Sequence, residues 1–128
     1  MRRKIPSGII GMVHLKALPG SPGFAGDIEA VEAVAIADAA TLLAGGVDAI
    51  LVENFGDVPF HKTVDTVTVA AMTRIVREIV EMSDVPVGVN VLRNDAHAAL
   101  SIASVAGATF IRINVHIGAM VTDQGLIE

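Results

Sequence analysis

Side chains suited to binding or proton transfer gather where apolar runs of this chain turn polar: His14, Glu53, Asn54, Asn90, Arg93, Asn94, Arg112, Asn114 and His116. Imidazole titrates near neutrality, so His14 and His116 can serve as general acid or base, with Glu53 as the carboxylate beside them. These three are the candidate catalytic residues. Arg112 carries a fixed charge and forked donors that suit a carboxylate or phosphate. With Asn54, Asn90, Arg93, Asn94 and Asn114 it makes up a candidate ligand-binding set for a small anionic or sugar-like molecule. A metal held by His14, Glu53 and His116 is chemically sensible, but no His-x-His or His-Glu-x-x-His motif occurs, and no metal is assigned. Gly20–Gly26 could cradle an anion through backbone N–H groups, yet it matches neither the dinucleotide fingerprint nor a P-loop. His61 and His97 read as a loop residue and a helix-surface residue. The competing structural reading pairs Arg112 with Glu53 as a buried salt bridge and leaves the asparagines to satisfy neighbouring backbone.

Such residues act together only if secondary structure brings them to one place. Apolar strands are expected at Gly8–Leu15, Asp48–Glu53, Val87–Leu92 and Thr109–His116, and helical patterns separate them. Asp27 is an N-cap ahead of Ile28, Val31, Ala35, Ala39 and Leu42 at helical spacing, and Gly45-Gly46 stops that helix. Thr66–Met82 places Val69, Met72, Val76, Ile79 and Val80 on one face. Pro86 opens the third strand, and Asn94 or Asp95 caps a short Ala-rich helix that ends near Gly107. This alternation predicts an α/β fold with parallel strands joined by crossover helices. Four such strands rarely finish a fold, so residues 1–128 read as the N-terminal half of a (β/α)8 TIM barrel, with a doubly wound sheet as runner-up. Residues 117–128 read as a loop, and the domain is expected to be truncated after the fourth strand. Open edges and an uncovered interior would then favour association, so a homo-oligomer is expected.

Side chains alternate along a strand, so Arg112, Asn114 and His116 are expected on one face of the fourth strand, directed into the barrel. All the polar positions lie at C-terminal strand ends, where ligands of parallel α/β folds bind.

Composition removes several functional classes. The net charge is −5, and Arg2-Arg3-Lys4 is the only basic run, which argues against a nucleic-acid footprint. That run reads as a solvated tail, or as a weak anchor for peripheral association with an anionic membrane surface. Pro6, Ser7 and Gly8 interrupt what would be a signal peptide, and no apolar stretch is long enough to span a bilayer. Cysteine is absent, which excludes disulfides and thiolate chemistry; a cytoplasmic location is expected. The chain is 52% hydrophobic and only 3% aromatic, so its core must be built from Ala, Val, Ile, Leu and Met.

Four segments, in order and each crossing a strand end, carry a family resemblance. They are Gly11-Met12-Val13-His14-Leu15-Lys16-Ala17-Leu18-Pro19-Gly20-Ser21-Pro22, Val52-Glu53-Asn54-Phe55-Gly56-Asp57-Val58-Pro59-Phe60, Gly88-Val89-Asn90-Val91-Leu92-Arg93-Asn94-Asp95, and Arg112-Ile113-Asn114-Val115-His116 with Gly118–Gly125. Together they resemble the BtpA family, which includes SgcQ-like proteins. The resemblance implies a ribulose-phosphate-binding type of barrel and a role in biogenesis of membrane complexes such as photosystem I, although members also occur in organisms without photosynthesis. The family's motif positions fall on the same polar residues chosen above. No reaction or cofactor comes with the resemblance, so two readings stand: a barrel binding or converting a small phosphorylated or sugar-derived metabolite, and a non-catalytic assembly factor that binds a protein partner.

Overall fold

A computed structural model describes residues 6–123 and 125–127. The basic run Arg2-Arg3-Lys4 lies outside the described residues. The elements alternate as β1 (Ile10–His14), α1 (Ile28–Ala44), β2 (Ala49–Glu53), α2 (Thr66–Met82), β3 (Val87–Asn90), α3 (Ala96–Ala106) and β4 (Phe110–Arg112), followed by β5 (Met120–Thr122) and β6 (Gly125–Ile127). The first four strands form one sheet in the order β1-β2-β3-β4, with every pair parallel. This is half of a (β/α)8 barrel, and it is not closed.

The helices begin and end where local chemistry requires. The Asp27 carboxylate accepts from the N–H groups of Glu29 and Ala30, and that of Asp95 accepts from Ala98 N–H at 2.9 Å. Both satisfy donors that a helix start leaves without partners. Gly107, at φ 88°, ends α3 in the left-handed conformation.

One face of the sheet packs on the helices. Val13, Ile50, Val52, Val87 and Val89 meet Ala35 and Ala39 of α1, Met72, Ile75, Val76 and Ile79 of α2, and Ala99 and Ile102 of α3 in one buried cluster. Small residues set the spacing here: a Cβ on Gly11 would lie 2.8 Å from a Leu42 methyl group. The opposite face carries Met12, Leu51, Gly88 and Phe110 in register. The Phe110 ring covers Gly88 so closely that a Cβ there would sit 2.3 Å from it.

Two expectations are corrected by the structure. The fourth strand ends at Arg112 and does not run on through His116. Beyond Arg112 the backbone bonds to a side chain: Asn94 Oδ1 accepts from the N–H groups of Asn114 and Val115 at 2.9 Å each, and Asn94 Nδ2 donates to Val115 O at 2.8 Å. Those groups are therefore withdrawn from the β3 ladder, so Arg112, Asn114 and His116 do not share a strand face. The segment after it is not simply a loop, because β5 and β6 pair as an antiparallel hairpin. The Thr122 hydroxyl donates to Gly125 O at 2.8 Å across its turn.

Candidate functional site

The register aligns the last residues of the four strands. His14 pairs with Glu53, Glu53 with Asn90, and Asn90 with Arg112. Adjacent strands lie about 4.8 Å apart, so this row crosses about 14 Å of the sheet on the face turned away from the helices. An acid–base pair occupies one end, a cation the other and an amide the middle.

At the first end, His14 Nε2 lies 3.9 Å from Glu53 Oε2, with the histidine side chain 46% exposed and the glutamate 8%. The imidazole stacks on Phe55, with centroids 4.2 Å apart and planes 11° from parallel. This contact fixes the ring plane while leaving the group open to solvent. In the middle, Asn90 is only 1% exposed. Its Nδ2 donates to Asn114 Oδ1 at 3.2 Å, whereas its Oδ1 is buried without a partner among the described residues. A buried acceptor in that state is costly unless a donor reaches it. Arg112, at the far end, is exposed, and among the described residues its side chain makes no ion pair or hydrogen bond. The carboxylate of Glu53 faces His14, so the Arg112–Glu53 bridge is not formed.

The remaining candidates divide by what their side chains touch. Asn54 is buried and serves the backbone of Leu92: Oδ1 accepts from its N–H at 2.6 Å, and Nδ2 donates to its carbonyl at 3.3 Å. Asn94 ties down the segment after β4, as described above. Arg93 packs its guanidinium over the Phe60 ring at 5.0 Å and donates from Nη2 to Asp123 Oδ1 at 2.6 Å. His116 is exposed past the end of β4 and makes no hydrogen bond, ion pair or ring contact among the described residues. His14, Glu53 and His116 do not converge, and no group of three or more His, Asp or Glu among the described residues is placed to hold a metal ion.

Phe55, Phe60, Asp57 and Asp123 were not singled out from sequence. The aromatic pair had a signal, since two of only four phenylalanines lie between β2 and α2. Asp57 joins that loop to the loop after β1 by accepting from Leu18 N–H at 2.8 Å. Burial pushes its carboxyl above the ordinary aspartate range, against the lowering effect of the Leu18 N–H and the Asn54 amide. Between these two loops lies a cavity of about 40 Å³ lined by Ser21, Asn54, Asp57, Thr68 and Leu92, among others. The Ser21 hydroxyl is buried there without a partner among the described residues. In the loop after β1, the N–H groups of Ser21 and Phe24 donate to Leu18 O and Ser21 O, closing turns inside the segment that was considered as an anion cradle.

Comparison with known proteins places this geometry in a family. Residues 6–128 match the BtpA family model. Over 121 residues the chain is 56% identical to the photosystem I biogenesis protein BtpA of Synechocystis, covering 94% of the chain and 42% of that protein. It is 53% identical over 120 residues to an uncharacterised protein of Thermococcus kodakarensis, covering 94% and 46%. A putative sgc region protein, SgcQ, of Escherichia coli is 38% identical over 120 residues, covering 92% and 44%. The chain thus spans less than half the length of these relatives. With its parallel half-barrel and a family match running from residue 6 to residue 128, the chain belongs to the BtpA family.

Proposed function

We propose that the C-terminal mouth of this half-barrel binds a small phosphorylated or sugar-derived metabolite, in the manner of ribulose-phosphate-binding barrels. The observation that carries this reading is the row His14–Glu53–Asn90–Arg112, in which a register of parallel strands sets four polar groups side by side. Each has a role toward such a ligand. Arg112 and Arg93 would hold the anionic group. The Oδ1 of Asn90, without a partner among the described residues, would accept from a hydroxyl. His14 and Glu53 would exchange a proton with the ligand, their separation tightening once it is bound. Asn54, Asn94 and Asn114 would shape the mouth, and His116 would lie at its rim. The family's relatives in Synechocystis and in Thermococcus are almost equally similar to this chain. That favours a ligand common to organisms with and without photosystems, with biogenesis of photosystem I as the setting in one lineage.

The same proposal treats residues 1–128 as one partial barrel domain in the cytoplasm. Its open edges at β1 and β4 would be covered by the additional length the relatives carry or, in an isolated chain, by a second copy. A thermal-shift screen of the full-length protein against sugar phosphates and the matching free sugars tests the reading. Ligand at a hundredfold excess over Kd stabilises by about 2.7 kcal/mol, and the shift should disappear in Arg112→Ala. No shift with any member of the panel would refute it.

A non-catalytic assembly factor is the second reading. It is favoured by the exposed apolar residues Ile117, Met120, Val121 and Leu126 on and beside the hairpin. Loss of partner-complex assembly in Val121→Ser, with metabolite binding absent, would select it.

A further inference from the structure

The contact between Arg93 and Asp123 joins two very different surroundings. Arg93 is well held: its guanidinium lies over Phe60, its backbone N–H donates to His61 O at 3.0 Å, and its side chain is only 19% exposed. It lies three residues past the end of β3 and directly follows Leu92, whose peptide N–H and carbonyl Asn54 holds, so its backbone is fixed at the mouth of the sheet. Asp123 has a side chain 71% exposed, on the turn of a hairpin whose strands are three residues each. A two-stranded hairpin of that size adds little stability of its own. A largely buried guanidinium is therefore met by a largely exposed carboxylate on the turn of a short hairpin.

From this we infer that Asp123 is an internal competitor for the ligand's anionic group, and that Arg93 is the anchor over which the two compete. This rests on the reading of the mouth as an anion site. A planar guanidinium with five donors binds carboxylate and phosphate in the same fork geometry, and the Asp123 carboxylate already supplies one such oxygen. An ion pair whose carboxylate stays largely in solvent is worth little, so an incoming anion that also reaches Arg112 or the row displaces Asp123 at small cost. The hairpin then lowers affinity for weak or singly contacting anions and admits those that make several contacts.

Calorimetric titration of the full-length protein with inorganic phosphate, and separately with acetate, tests this in the wild type, Asp123→Asn, Arg93→Gln and Arg112→Ala. Removing the competitor in Asp123→Asn should tighten anion binding up to about fivefold, the factor that corresponds to an exposed ion pair. The anion whose binding tightens more identifies the ligand group as phosphate or carboxylate. Arg93→Gln should weaken binding at least about tenfold, and it should do so equally when combined with Asp123→Asn. The exposed Asp123→Asn decides the matter even if Arg93→Gln folds poorly. Binding that is unchanged or weaker in Asp123→Asn, yet lost in Arg112→Ala, would overturn the inference and leave the mouth reading intact. No binding of either anion to any of these proteins would overturn both.

Discussion

Replacing Asn54 tests how the end of β3 is held. Its side chain is 1% exposed, and it satisfies both peptide groups of Leu92, itself 4% exposed. Alanine would leave one buried N–H and one buried carbonyl without partners, at about 1–3 kcal/mol each. The adjoining cavity of about 40 Å³, lined by both Asn54 and Leu92, has room for a water to recover part of that. The expected loss for Asn54→Ala is therefore about 2–4 kcal/mol, or about 5–15 °C in Tm for a barrel of ordinary size. Asn54→Asp should be at least as damaging at neutral pH: it can still accept from Leu92 N–H, but it cannot donate to the carbonyl, and it brings a second carboxylate beside Asp57. The chain contains no Trp or Tyr, so urea denaturation followed by far-ultraviolet circular dichroism is the suitable assay. A loss below about 0.5 kcal/mol in Asn54→Ala, the level of a neutral surface change, would refute the reasoning. So would an Asn54→Asp protein as stable as the wild type.

Further outcomes follow from other sites. A Cβ on Gly56 would lie 2.5 Å from Ala17 N and 2.7 Å from Leu15 O; because backbone cannot yield as a side chain does, Gly56→Ala should cost about 2–3 kcal/mol in the same assay. The Arg112 side chain has no ion pair or hydrogen bond among the described residues, so Arg112→Ala should leave the unfolding free energy within about 0.5 kcal/mol of wild type while anion binding falls; a large loss of stability would show that it pairs structurally. For Asp57 the folded carboxyl is raised by burial. Its contribution is fully present below the unfolded aspartate value and is lost as pH rises through the folded value. Asp57→Asn should therefore gain on the wild type as urea midpoints are compared from pH 3.5 upward to pH 6, and a constant difference across that range would contradict the assignment.

The parallel alternation of strands and helices was legible in the chain because it depends on periodicity and on local caps. Asp27, Asp95 and Gly107 cap their helices through groups within a few residues of themselves, and the apolar runs of β1, β2 and β3 announce their own burial. The same locality made the polar strand ends visible as a set. What the row does with its neighbours depends on register and on partners distant in sequence, which no local pattern carries. Asn94 takes the backbone of Asn114 and Val115 out of the sheet from 20 and 21 residues away, so the fourth strand stops three residues after it begins. Glu53 turns to His14, its direct partner in the ladder, and not to Arg112 two strands over. The hairpin was hidden because strands of three residues are too short to show a period, although Asp123 and Gly125 between Met120-Val121 and Leu126-Ile127 carry turn chemistry. Sequence thus determined which groups could meet at the mouth, through alternation and capping. Tertiary structure decided which of them are already bonded to backbone and which are not, because a hydrogen bond depends on distance and direction in space.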